Sequence, residues 1–106
     1  MTEFYYQLKK YFVASHIHNE ETPHGHNFLC IATFQYEKPQ IIQELFEKAI
    51  GKLHYKLLNE IDFFKKRTPS TENIAIFIFN QLNKDLKVKS VEVFETNNFS
   101  GGVKEC

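Results

Sequence analysis

The chain has no tryptophan, two cysteines, three prolines and four glycines, and no net charge: thirteen Lys and Arg balance thirteen Asp and Glu over 106 residues. Cys30 and Cys106 are too few for a disulfide framework, so separate thiols in a reducing cytoplasm are expected. Balanced charge removes the basic field that nucleic-acid binding requires, and no nucleic-acid partner is expected. The longest wholly apolar run, Ile74–Phe79, falls far short of the ~20 residues of a membrane-spanning helix. Residues 1–15 intersperse Glu3, Gln7, Lys9 and Lys10 among apolar positions, unlike a secretory signal. The expectation is a soluble cytoplasmic protein without a membrane partner. Scarce glycine and proline leave little chain for loops.

What is abundant is phenylalanine, eleven residues of it, with five tyrosines. A hydrophobic share of 42% against 25% charged residues fits one globular domain over residues 1–106. Phe4 to Ala14 is aromatic and β-branched without a helical period, which predicts a first strand. Asn27 to Tyr36 predicts a second, with Phe28, Cys30, Ala32 and Phe34 alternating onto one face. Ile42, Leu45, Phe46, Ala49, Leu53 and Leu57 then recur at helical steps. Asp62 to Thr68 reads as a connection ending at Pro69. Ile74–Phe79 suits either a strand or a helix by composition. The cap candidates Ser70 and Thr71, with Glu72 in a first turn and Gln81 to Leu86 behind, favour helix. Val88 to Thr96 alternates, with Val91, Val93 and Glu95 opposed to Glu92 and Phe94, and Phe99 to Cys106 completes a fourth strand around Gly101-Gly102. The order ββααββ predicts an α+β fold: a four-stranded antiparallel sheet with two helices on one face.

Five histidines occupy positions 16, 18, 24, 26 and 54. The two-residue step of His24-Gly25-His26 places both on one side of a strand, and the glycine between leaves room for a ligand. His16 closes the predicted neighbouring strand. Three neutral imidazoles from adjacent strands, with a fourth position open, are what a catalytic zinc site needs. An H-x-H pair alone is equally explained by core or surface histidines.

Phe12-Val-Ala-Ser-His16, His24-Gly-His-Asn-Phe28, Leu57-Leu-Asn59, Pro69-Ser-Thr-Glu-Asn-Ile-Ala75 and Val91-Glu-Val-Phe-Glu95-Thr96 follow one another in an order that carries further information. Together they resemble the 6-pyruvoyltetrahydropterin synthase and 6-carboxytetrahydropterin synthase family of small zinc enzymes acting on dihydropterins. The resemblance spans nearly the whole chain. It implies the T-fold, homo-oligomers built as trimers stacked in pairs (trimer or hexamer), and active sites between subunits. It implies Zn2+ as cofactor, held by His16, His24 and His26. Glu95 matches the family's pterin anchor, a role suited to a carboxylate that offers two acceptors side by side to a ring N–H and an amino N–H. Ser70 and Thr71 match hydroxyls near the pterin ring and are equally explained as helix caps. His18 has no place in the pattern and reads as a loop histidine.

Two positions depart from that pattern. Where family members usually carry a catalytic cysteine, four residues before the first His of H-G-H, this chain has Glu20. Glu21 instead fits E-x-x-H-G-H, the mark of a subgroup in which glutamate replaces the cysteine and the dihydroneopterin side chain is shortened. The usual Asp-His pair before Leu-Asn falls on His54-Tyr55. A histidine with an ordinary pKa of ~6.5 suits proton transfer, whereas tyrosine near ~10 is a poor base. The reading is a zinc-dependent lyase on 7,8-dihydroneopterin or its phosphate, with Glu21 as base and His54 as proton carrier. The alternatives are a 6-carboxytetrahydropterin synthase of deazapurine biosynthesis, which the missing cysteine opposes, and a T-fold module that binds pterin or purine without turnover.

Overall fold

Alternation of buried small or aromatic residues with more exposed ones builds the first two strands, and it continues further towards the histidines than sequence pattern alone suggests. In the computed structural model, which describes residues 2–17, 24–35 and 38–106 (His24 by its backbone alone), β1 spans Tyr6–His16 and β2 spans His24–Phe34. They pair antiparallel without interruption, Tyr6 opposite Phe34 and His16 opposite His24. The whole His24-Gly25-His26 motif is thus strand rather than the approach to one, because β1 is long enough to pair with it.

After β2 the chain forms α1 (Pro39–Gly51), a 3-10 turn (Leu58–Glu60), a short α2 (Asp62–Lys65) and α3 (Thr71–Leu82). It returns as β3 (Val88–Thr96) and β4 (Phe99–Lys104). The sheet order is β1-β2-β3-β4, antiparallel throughout. Phe12, Ala14, Phe28, Cys30, Ala32, Phe34, Val91 and Val93 line one face of the sheet and are buried with Ile42, Phe46 and Ile50 of α1 and Ile74, Phe77 and Ile78 of α3. Phe12 and Phe28 stand opposite each other across the strands, rings stacked at 5.2 Å. Each buried phenylalanine contributes on the order of 1.5–3 kcal/mol from apolar surface removed from water. The expected α+β sheet with its main helices on one face is the observed architecture.

Residues 74–79 are helical. Ser70 caps α3 by accepting a hydrogen bond from the Asn73 N–H at 3.3 Å, and Glu72 lies in the first turn, favourable to the helix dipole. The start of α3 lies directly on β4: a Cβ at Gly101 would come within 2.5 Å of Thr71 Oγ1 and 3.1 Å of the Glu72 amide nitrogen. Only glycine permits that approach.

Three boundaries differ from expectation. Helix α1 stops at Gly51 although Leu53 and Leu57 continue its period. Tyr55 adopts a left-handed φ of 60° and turns the chain onto the open edge of β1. There its N–H donates to the Val13 carbonyl at 2.6 Å, and the Ser15 N–H donates to the Lys56 carbonyl at 3.0 Å. The connection after it contains α2, whose Phe64 is buried beside Phe63 and Phe77 at ring distances of 5.2–5.7 Å. Strand β4 ends at Lys104 rather than at the last residue. Among the described residues, no helix is long and apolar enough to cross a membrane.

Candidate metal centre

His16 ends β1, and His26 lies two residues into β2 opposite Ala14, on the face that carries Phe12 and Phe28. Glu95 follows Val91 and Val93 on the same face of β3. Antiparallel pairing therefore gathers the three at one end of the sheet. One ligand atom from each of His16, His26 and Glu95 falls within 4.8 Å of the others. Glu95 Oε1 is 3.2 Å from His16 Nε2 and 3.1 Å from His26 Nε2. The His16 side chain is 6% exposed, and those of His26 and Glu95 are each 24% exposed. Phe28 closes the inner side, its ring edge-on to both imidazoles at 5.8 and 5.5 Å.

Two backbone carbonyls and one amide fix the arrangement. His16 Nδ1 lies 2.9 Å from the Pro69 carbonyl oxygen, in buried surroundings. A carbonyl only accepts, so Nδ1 carries the proton, and in the neutral ring the lone pair is at Nε2, facing Glu95. This is the tautomer a metal-binding imidazole needs, with its second nitrogen held by a carbonyl. Directly after His16, Asn59 grips the backbone of Ile17 twice: its Oδ1 accepts from the Ile17 N–H at 2.7 Å, and its Nδ2 donates to the Ile17 carbonyl at 3.0 Å. Neither Pro69 nor Asn59 was assigned a role from sequence. Both lie inside the blocks Pro69–Ala75 and Leu57–Asn59, but a contact made by a backbone carbonyl leaves no mark on residue pattern.

The donor set itself tests whether a metal fits. Two imidazole nitrogens and a carboxylate oxygen match the ligands of zinc and other divalent transition metals. The His16 Nε2 lone pair facing a carboxylate at this range, in a site with an aromatic floor, also calls for a positive charge between them. The residues fit a metal ion.

The other candidate residues distribute differently. The His24 backbone stands opposite His16, while its side chain, together with His18, Glu20 and Glu21, lies outside the described residues. Ser70 and Thr71 directly follow Pro69, so the start of α3 is tied to the His16 ring. The Ser70 hydroxyl serves as the helix cap, and Thr71, buried, donates to Glu72 Oε2 at 3.0 Å. His54 is not part of the trio. Its Nδ1 accepts from the Val13 N–H at 3.1 Å on the edge of β1, and its ring lies 3.8 Å from that of Tyr55, which is 78% exposed. A cleft of about 400 Å³ opens beside the clamp, between Ile17, Asn59 and Pro69 on one side and Lys65, Lys66 and Arg67 on the other. Elsewhere in the core, burial pushes the Cys30 thiol up to about 12, which makes it a packing residue rather than a nucleophile.

A single antiparallel sheet with its helices on one face and an imidazole–carboxylate cluster at the sheet end defines a T-fold protein. The chain belongs to the 6-pyruvoyl tetrahydropterin synthase family, whose model matches residues 2–105. Members of that family are lyases. The fold is that of the Caenorhabditis elegans 6-pyruvoyl tetrahydropterin synthase structure, with a TM-score of 0.87 at 18% identity over 100% of this chain and 98% of that one. The Plasmodium falciparum 6-pyruvoyl tetrahydropterin synthase is similar at a TM-score of 0.65, with 18% identity and 99% of each chain covered. A Plasmodium vivax 6-pyruvoyltetrahydropterin synthase, solved as a catalytic-residue mutant with cysteine in place of glutamate, matches at 0.68, with 17% identity over 97% of this chain and 99% of that one.

Proposed function

We propose that the protein is a zinc-dependent pterin lyase that shortens the side chain of 7,8-dihydroneopterin or its phosphate to 6-hydroxymethyl-7,8-dihydropterin. The observation that carries this reading is the convergence of His16 Nε2, His26 Nε2 and the Glu95 carboxylate, with the His16 tautomer set by Pro69. His24, opposite His16 in the strand register, completes the proposed ligand set. Zinc bound there supplies a Lewis acid that makes a side-chain hydroxyl of the substrate more acidic.

The remaining work falls to the chain's own groups. Glu95 anchors the pterin ring by accepting from its ring N–H and amino group, so that the side chain points at the histidines. Glu21, three residues before His24, takes the proton of the C2′ hydroxyl. As the C1′–C2′ bond breaks, its electron pair moves into the conjugated ring system and the C2′ oxygen becomes a carbonyl. A proton returned to C1′ gives the hydroxymethyl product and releases glycolaldehyde or its phosphate, so no external oxidant or reductant enters. The Plasmodium vivax protein, whose catalytic glutamate was exchanged for cysteine, supports a glutamate in this role. Ser70 and Thr71 flank the ring, and the basic cleft of Lys65, Lys66 and Arg67 suits a phosphorylated side chain.

The face of the sheet opposite the helices supports a homo-oligomer, trimer or hexamer. Tyr11 and Val13 of β1 are exposed there, in line with half-buried Leu29 and Phe94 across the strands. Cys30 and Cys106, both free thiols, fit a reducing cytoplasm.

One observation favours a second reading, a pterin-binding module without turnover: the Nδ1 of His54, the proposed proton carrier, is engaged by a backbone N–H. Incubation of the zinc-loaded protein with 7,8-dihydroneopterin, and separately with its triphosphate, separates the two. The lyase reading predicts glycolaldehyde or its phosphate in step with 6-hydroxymethyl-7,8-dihydropterin. Saturable pterin binding with no product from either substrate contradicts it and leaves the module.

A further inference from the structure

The carboxylate assigned above to pterin recognition is also the third member of the metal trio, and one oxygen of it faces both imidazoles. Oε1 of Glu95 lies 3.2 Å from His16 Nε2 and 3.1 Å from His26 Nε2. Both lie at the long end of N–H···O contacts, which run to about 3.2 Å, and just inside the edge of a tetrahedron drawn around an ion with bonds of about 2.0–2.1 Å, which is about 3.3–3.4 Å. The Pro69 carbonyl holds the His16 proton at Nδ1, which turns the Nε2 lone pair of the neutral ring towards the carboxylate. At these distances a cation shared by all three atoms removes the repulsion between lone pair and carboxylate.

We propose that Glu95 is a metal ligand through Oε1 when the site is free of substrate, and that it leaves the metal for the pterin ring when substrate enters. This rests on the pterin reading of the site and goes beyond it by giving one carboxylate two alternating partners. The exchange follows from the geometry. The side chain is only 24% exposed and already committed to the His16–His26 side of the site, so accepting from a pterin ring N–H and amino group requires giving up that position. A hydroxyl of the substrate's own side chain then takes the place Oε1 leaves. A pterin without such a hydroxyl removes the carboxylate and offers no replacement. Metal and ring therefore oppose each other, and by linkage the opposition is reciprocal in the two affinities.

The test uses the full chain, zinc titrated against a chromophoric chelator, and cobalt(II) as a spectroscopic probe of ligand number. Glu95→Gln is expected to weaken zinc binding at least tenfold. Glu95→Asp, which retains the charge but shortens the reach, is expected to weaken it as well. In the wild-type protein, saturation with 6-methylpterin should lower zinc affinity and change the cobalt(II) visible spectrum, and neither effect should occur in Glu95→Gln. Unchanged zinc affinity in both variants, or a cobalt spectrum indifferent to 6-methylpterin bound to the wild type, overturns the exchange while leaving a histidine metal site intact. Failure of the wild-type chain to bind zinc at all overturns the metal reading and the exchange with it. Should both variants fail to fold, the wild-type cobalt experiment decides alone.

Discussion

Strand β1 is strapped along its open edge by one continuous segment, yet the two ends of that strap have different consequences. At one end His54 and Tyr55 take the N–H and carbonyl of Val13, and Lys56 takes the N–H of Ser15. At the other, Asn59 takes both backbone groups of Ile17. Val13, Ser15 and Ile17 are thus satisfied, which protects the last part of an edge that would otherwise be free to pair with another chain. The His54–Tyr55 end leaves an aromatic ring exposed over solvent. The Asn59 end fixes the chain immediately beside a buried imidazole whose other side is held by Pro69. The same backbone chemistry serves the edge in one place and a metal ligand in the other. Burial makes the difference, because a misplaced His16 has no solvent to compensate it.

Substitutions along this contrast have graded effects. The largest is expected at the proposed base, outside the strap: Glu21→Gln should lower turnover by roughly 10²–10⁴ with zinc content retained. Zinc lost from that variant would make Glu21 a ligand instead. At the buried end, Asn59→Ala should weaken zinc binding by about 10–100-fold, the usual cost of removing support behind a ligand. The melting temperature of the metal-free protein should fall much less. A drop confined to stability would reduce Asn59 to an edge clamp. At the exposed end, His54→Ala should leave zinc affinity unchanged while Val13 amide exchange accelerates, read by hydrogen exchange and NMR. Equal metal loss in both variants would erase the distinction between the two ends.

Smaller effects sharpen the same comparison. Tyr55→Gly relieves a left-handed conformation worth of order 1 kcal/mol but loses the contact with the His54 ring, so stability by urea denaturation should shift by less than about 1 kcal/mol. In the core, the Cys30 thiol, pushed up to about 12 by burial, stays protonated at pH 8. An aromatic disulfide reagent should therefore titrate one thiol per native chain, the exposed Cys106, and two after denaturation.

Side-chain periodicity made much of this legible. Alternation placed Phe28, Cys30, Ala32 and Phe34 on one buried face and set Glu95 beside Val91 and Val93. The two-residue step of His24 and His26 put His26 on the face that meets His16. Capping chemistry at Ser70 resolved the ambiguous Ile74–Phe79 in favour of helix. The features that escaped were those made by backbone. Leu53 and Leu57 extend the helical period past Gly51, although the left-handed Tyr55 diverts the chain before Leu57. The Pro69 carbonyl and the amide of Asn59 act on main-chain groups or through them, which no spacing of residue types reveals. The motif marks Glu95 as a ring anchor, and nothing in the strand pattern shows that β3 carries its carboxylate within reach of two imidazoles.

The central claim is that His16 and His26 form a metal centre at the end of the sheet. The most direct measurement is elemental analysis of zinc per chain, after equilibrium dialysis, in the wild-type protein and in the His16→Ala/His26→Ala double variant. Circular dichroism should accompany it to establish that both are folded. One zinc per wild-type chain and essentially none in the folded double variant is the predicted result. A folded double variant that keeps its zinc, or a wild-type chain that takes up none, contradicts the account.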